Sequence, residues 1–273
     1  MSSSTTPAAL ALTQKWSGNR QASARLALAC LDLTSLNEQD TEADIAALCT
    51  RAQSRFGPVA AVCVWPRLAS FARKQLPAHI AVAAVANFPD GSADIERAVR
   101  ETGEIVQSGA QEVDLVLPYA QLLVGNDAVV ADMLAAVRKA SEGLRLKVIL
   151  ETGALVGGAH ILRASRLSLA AGADFLKTST GKTKVSATPE AARVMLDAIA
   201  FDPDAAKRVG FKPSGGIRSV VDAAVYMALV DEILGADALS PQRFRIGASS
   251  VLADIEAVLS GSDPAPPASA GSY

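Results

Sequence analysis

The sequence predicts one α/β domain, a (β/α)8 TIM barrel, on three observations. Eight short apolar runs recur along the chain with starts about 31 residues apart, the length of one strand-helix-strand unit. The 273 residues contain no linker before Ser260, and their number suits a barrel closing as a single unit of ~250 residues. Polar residues gather at the ends of the runs, where a barrel of this kind carries its chemistry.

The runs are residues 26–33, 59–64, 80–86, 112–117, 147–151, 175–177, 209–212 and 244–247. Their continuous apolarity, without polar alternation, predicts strands buried on both faces, as in parallel sheets. Between them, amphipathic stretches at 42–56, 92–109, 127–143, 160–171, 189–199, 220–234 and 251–259 predict helices. Thr188-Pro189-Glu190 reads as a helix start, with proline in the first turn. Half of the chain is hydrophobic but only 4% is aromatic, which fits small Ala-rich helices on a β-branched barrel. Residues 1–25 read as a lead-in segment, 26–259 as the barrel, and the Pro-, Ser- and Ala-rich 260–273 as a flexible tail.

Charge and composition exclude several functions. With 26 basic and 28 acidic side chains and a net charge of −2, the chain shows neither the basic face nor the basic tail of a nucleic-acid or membrane-surface protein. No run reaches the ~18 apolar residues of a membrane span. Cys30, Cys49 and Cys63 form no Cys-x-x-Cys pair, as expected in a reducing cytoplasm. His79 and His160 are the only histidines, too few for a three-imidazole zinc site, so neither metal nor cofactor is expected.

The chemistry is predicted from lysines. Lys177 ends the sixth run and Lys212 the seventh, so two ammonium groups approach each other inside the barrel. Burial and like-charge repulsion lower one pKa, and a free amine attacks carbonyls to give an iminium and then an enamine. Asp114, enclosed by Val113, Leu115, Val116 and Leu117, needs a cationic partner; beside an iminium it could also move protons. Either lysine taken alone reads more simply as a snorkelling side chain. Two on adjacent strand ends, with Asp114 near them, favour catalysis. Thr180-Gly181-Lys182, Ser214-Gly215-Gly216 and Gly247-Ala-Ser249-Ser250 supply flexible backbone and a helix start suited to a phosphate. Cys63 falls near the predicted active-site rim, and either packs as a small apolar side chain or reacts with aldehyde.

These stretches together carry a resemblance. Leu31-Asp-Leu-Thr34, Asn87-Phe-Pro89, Glu112-Val-Asp-Leu-Val-Leu-Pro-Tyr119 and Lys147-Val-Ile-Leu-Glu-Thr-Gly153 resemble the deoxyribose-phosphate aldolases. So do Phe175-Leu-Lys-Thr-Ser-Thr-Gly-Lys182, Gly210-Phe-Lys-Pro-Ser-Gly-Gly-Ile-Arg218 and Arg245-Ile-Gly-Ala-Ser-Ser250. The resemblance implies a metal-independent class I aldolase that reversibly cleaves 2-deoxy-D-ribose 5-phosphate to D-glyceraldehyde 3-phosphate and acetaldehyde, in deoxyribose phosphate catabolism. It implies that Lys177 forms the Schiff base, that Lys212 lowers its pKa and is a proton donor/acceptor, and that Asp114 is a proton donor/acceptor. It places Asp32, Thr34 and Thr178 around the sugar and Gly181, Lys182, Gly215, Gly216, Ser249 and Ser250 around the phosphate. The terminal Ala270-Gly-Ser-Tyr273 resembles tails whose last tyrosine assists proton transfer at the enamine carbon. The expected partners are small phosphosugars and aldehydes, with a homodimer as the assembly.

Overall fold

In the computed structural model, residues 14–262 are described. Eight parallel strands form the sheet: β1 Leu31–Thr34, β2 Ala61–Val64, β3 Ala81–Ala86, β4 Glu112–Val116, β5 Arg145–Ile149, β6 Phe175–Lys177, β7 Gly210–Lys212 and β8 Ile246–Ala248. They pair in the order β8-β1-β2-β3-β4-β5-β6-β7, and the parallel bridges Phe211 to Phe244 and Ser214 to Gly247 join the two ends. The predicted (β/α)8 TIM barrel is therefore the observed fold.

Helix α1 (Arg20–Ala29) precedes β1. Each strand is then followed by a helix: α2 Glu42–Arg51, α3 Pro66–Gln75, α4 Ile95–Gln107, α5 Asp127–Ala140, α6 Gly158–Ala170, α7 Pro189–Phe201, α8 Val220–Leu234 and α9 Val251–Leu259. Sequence chemistry sets many of the starts. Thr41 and Ser219 make capping boxes with Asp44 and Asp222, and proline opens α3 and α7. The strands bury nearly every residue because one face meets this helical layer and the other fills the barrel.

Two segments differ from the sequence reading. The run 26–33 divides: its first part ends α1, and the strand begins only at Leu31. A short apolar run has no periodicity that separates strand from buried helix, and Ala27 and Leu28 are buried in either form. Helix α3 went unread because charged residues dilute its narrow apolar face of Leu68, Ala69 and Ala72. Among the described residues, no helix is long and apolar enough to cross a membrane.

Candidate active site

Side chains alternate along a strand, so Glu112 and Asp114 on β4 share a face, as do Arg145 and Lys147 on β5. Parallel register sets Glu112 beside Arg145, Asp114 beside Lys147, and Lys177 beside Lys212. Asp32 on β1 lies in register with Gly247 on β8. A side chain at Gly247 would collide with Ser214 Oγ and press on Lys212 Cε at 3.0 Å, so this glycine leaves room for the lysine.

These positions build one buried ionic network. Asp114 Oδ2 accepts hydrogen bonds from Lys177 Nζ and Lys212 Nζ, both at 2.8 Å, while Oδ1 accepts from Lys147 Nζ at 2.7 Å. Lys212 also donates to Asp32 Oδ2 at 2.5 Å. Lys147 Nζ lies 2.6 Å from Glu112 Oε2 and 3.4 Å from Asp32 Oδ2. Arg245 spans Asp32 Oδ1 at 2.6 Å and Glu112 Oε1 at 2.8 Å, and Arg145 reaches the same Glu112 oxygen at 2.7 Å. Lys177, Lys212 and Asp114 are thus brought together as expected, with Asp32 beneath them.

The two lysines differ electrostatically. Burial lowers the pKa of Lys177; Asp114 opposes the fall and the Lys212 charge adds to it. At Lys212 burial also disfavours charge, but Asp114 and Asp32 raise its pKa above the ordinary lysine range. Asp114 resists ionisation through burial, yet Lys147, Lys177 and Lys212 hold it well below the usual carboxylate range. The arrangement therefore offers one amine that burial helps to free, with an ammonium and a carboxylate beside it that are both charged at rest.

Lys147, Glu112 and Arg245 received no role from the sequence, although each stands in or beside an apolar run and would be costly to bury unpaired. That signal could have found them. Glu151 is a further such residue. It is fully buried at the end of β5 with a left-handed φ of 56°, and accepts bonds from Thr180 Oγ1 at 2.5 Å and Thr183 Oγ1 at 3.2 Å. Burial raises its pKa.

The glycine stretches converge as predicted. Gly181, Gly215 and Gly216 all have positive φ. A side chain on Gly215 would strike Ser186 and approach Gly181 Cα at 3.3 Å, so the loops after β6 and β7 touch there. Ser249 and Ser250 lie at the start of α9, where Ser250 occupies the N-cap without a side-chain capping bond. Lys182 is half-buried, and burial lowers its pKa. Thr34 Oγ1 donates to Asp32 O at 2.9 Å. Thr178 is fully buried and its hydroxyl ties β6 to Ser214, donating to the carbonyl and accepting from the amide. Cys63 lies inside the barrel rather than at its rim, with Sγ 3.9 Å from Asp114 Oδ2; burial and that carboxylate push its pKa up to about 11. Tyr273 lies outside the described residues.

The sequence profile of the DeoC/LacD family aldolases matches residues 26–257. The chain belongs to this aldolase family. It is accordingly a lyase, and the resemblance carried by its motifs is borne out. A curated deoxyribose-phosphate aldolase of Agrobacterium fabrum is 48% identical over 261 residues, covering 94% of this chain and 99% of the relative. A solved structure from Toxoplasma gondii ME49, assigned to the deoxyribose-phosphate aldolases, superposes with a TM-score of 0.81 at 24% identity, over 90% of this chain and 97% of the other. The deoxyribose phosphate aldolase of Aeropyrum pernix, described as a unique tetramer, gives a TM-score of 0.70 at 26% identity, over 92% and 96% of the two chains.

Proposed function

We propose that this aldolase cleaves 2-deoxy-D-ribose 5-phosphate reversibly to D-glyceraldehyde 3-phosphate and acetaldehyde, through a Schiff base on Lys177, in the breakdown of deoxyribose phosphates in the cytoplasm. The observation that carries the reading is the sharing of Asp114 Oδ2 by Lys177 and Lys212, with burial prevailing to lower the pKa of the former while Asp114 and Asp32 together raise that of the latter. The neutral Lys177 amine attacks the aldehyde carbon C1, and the carbinolamine loses water to give an iminium. A base removes the proton from the C3 hydroxyl and the C2–C3 bond breaks. Its electron pair moves into the iminium, which becomes a neutral enamine as glyceraldehyde 3-phosphate leaves. Protonation at C2 and addition of water release acetaldehyde and restore the amine.

In this scheme Asp114 exchanges the protons, and Lys212 stays charged, disfavouring protonation of its neighbour. Asp32, Thr34 and Thr178 form the sugar-binding region, with the Thr178 hydroxyl acting through its tie to Ser214. The backbone at Gly181, Gly215 and Gly216, with Lys182, Ser249 and Ser250, surrounds the phosphate. Tyr273 assists protonation at C2. The lead-in, barrel and tail divisions at residues 25 and 259, and assembly as a homodimer, complete the proposal.

The test is borohydride reduction in the presence of acetaldehyde, followed by peptide mass spectrometry. A reduced two-carbon adduct on Lys177 is expected. Labelling of another lysine, or of none, refutes the mechanism. Deoxyribose 5-phosphate should be cleaved in preference to ribose or fructose phosphates, and turnover of the latter alone would refute the substrate.

A further inference from the structure

The opposite end of the barrel holds a cavity of about 470 Å³, formed around the starts of β2, β3, β5 and β8 and the end of α1. Its volume is that of a small-molecule pocket. Its charge is one-sided. Arg25, His79, Arg145 and Arg245 line it together with Gln242, and among the described residues no aspartate or glutamate does, in a chain whose acidic residues outnumber its basic ones.

The side chains differ in what they already hold. Arg245 is buried and committed to Asp32 and Glu112. Among the described residues the Arg145 side chain makes one hydrogen bond, from Nη1 to Glu112, and it retains 34% exposure. That bond anchors the guanidinium while leaving donors for a second acceptor. Arg25 and His79 are exposed, and neither side chain has an acidic partner among the described residues. The Arg145 and Arg245 guanidinium carbons both lie 5.7 Å from the buried Phe175 ring, which helps fix their orientation. A half-open cavity lined by cationic donors and apolar surface, without a carboxylate among its lining residues, suits a compact dianion. Arginine holds phosphate through paired, charge-assisted hydrogen bonds.

We propose that this basal cavity is a second ligand site, separate from the catalytic mouth, and that it takes a phosphate dianion, either free or carried on a small organic molecule. Arg145 and Arg25 grip the phosphate oxygens, with His79 and Gln242 as further donors. The proposal does not depend on the reaction assigned to the catalytic end.

Calorimetric titration of the full chain with inorganic phosphate, and separately with glycerol 1-phosphate, tests it. The R25A/H79A variant alters two exposed side chains outside the catalytic network and should fold and turn over as the wild type does. It is expected to bind one phosphate fewer, or one phosphate at least tenfold more weakly; the R25E variant should show the same loss. The probe that binds more tightly identifies the source, free anion or organic phosphate. Equal stoichiometry and affinity in wild type and both variants, for both probes, overturns the proposal.

Discussion

Lys177 and Lys212 are direct register partners on adjacent parallel strands, and both donate to one oxygen of Asp114. Like charges placed side by side on a sheet repel. Here the shared carboxylate holds them together. The outcome is asymmetric because Lys212 has Asp32 as a second anion, whereas Lys177 has no other carboxylate within salt-bridge distance among the described residues.

The pH profile should report this asymmetry. The Lys212 charge lowers the pKa of Lys177, so Lys212→Met should raise it and move the acid limb of kcat/KM to higher pH. At pH 7 the rate should fall at least about tenfold, within the usual contribution of proton-transfer groups. Initial rates of aldehyde release from pH 5 to 10 check the shift.

Lys147→Met should destabilise the fold by about 3–5 kcal/mol, because it leaves Glu112 and part of Asp114 buried with fewer counter-charges. Arg145 and Arg245 still hold Glu112, so the loss should fall toward the lower value. Urea unfolding curves for the variant and wild type measure it.

Acid should unfold the chain through the same network. Burial opposes ionisation of Glu112, but Lys147 and Arg245 bring its pKa down from 4.5 to about 2. A carboxylate depressed in the folded state contributes stability that is fully present above its unfolded pKa and is lost as pH falls through the folded one. Stability should therefore decline between about pH 4.5 and 2, more steeply in wild type than in Glu112→Gln, as thermal melts across that window would show.

Glu151 should act on substrate binding more than on chemistry. It fastens Thr180 and Thr183 on either side of Gly181, and the two loops approach so closely that a side chain at Gly153 would collide with Val185 O. Glu151→Ala should raise KM for the phosphorylated substrate about tenfold, equivalent to roughly 1.4 kcal/mol, and leave kcat within about twofold. Glu151→Gln, which keeps an acceptor for Thr180, should recover part of the loss. Steady-state kinetics on the three proteins check the split.

The barrel was legible because continuous apolar runs at even spacing, with a helix length between them, fit few folds besides a closed parallel sheet. Lys177, Lys212 and Asp114 were legible because a charge ending or interrupting such a run has to be compensated. Lys147, Glu112 and Arg245 carry the same signal but stand at or next to the starts of their runs, where a charge reads as a boundary. Only the register that sets Glu112 beside Arg145 and Asp114 beside Lys147 shows that they face inward. The hold of Glu151 on Thr180 spans 29 residues of chain, and no local pattern encodes it. The exchange of strand for helix near Ala27 has the same root, since burial alone does not specify backbone geometry.

Lys147, Lys212 and Arg245 balance Asp32, Glu112 and Asp114, so the deepest part of the network is neutral before Lys177 is considered. A neutral amine fits that surrounding without adding charge. In the proposed mechanism, once Lys177 becomes an iminium the site carries a positive charge with no dedicated counter-ion, in a place where water cannot disperse it. Breaking the carbon–carbon bond sends an electron pair to that nitrogen and cancels the excess. The balanced ions thus make the enclosed barrel an electron sink, drawing the bonded intermediate forward to its uncharged successor.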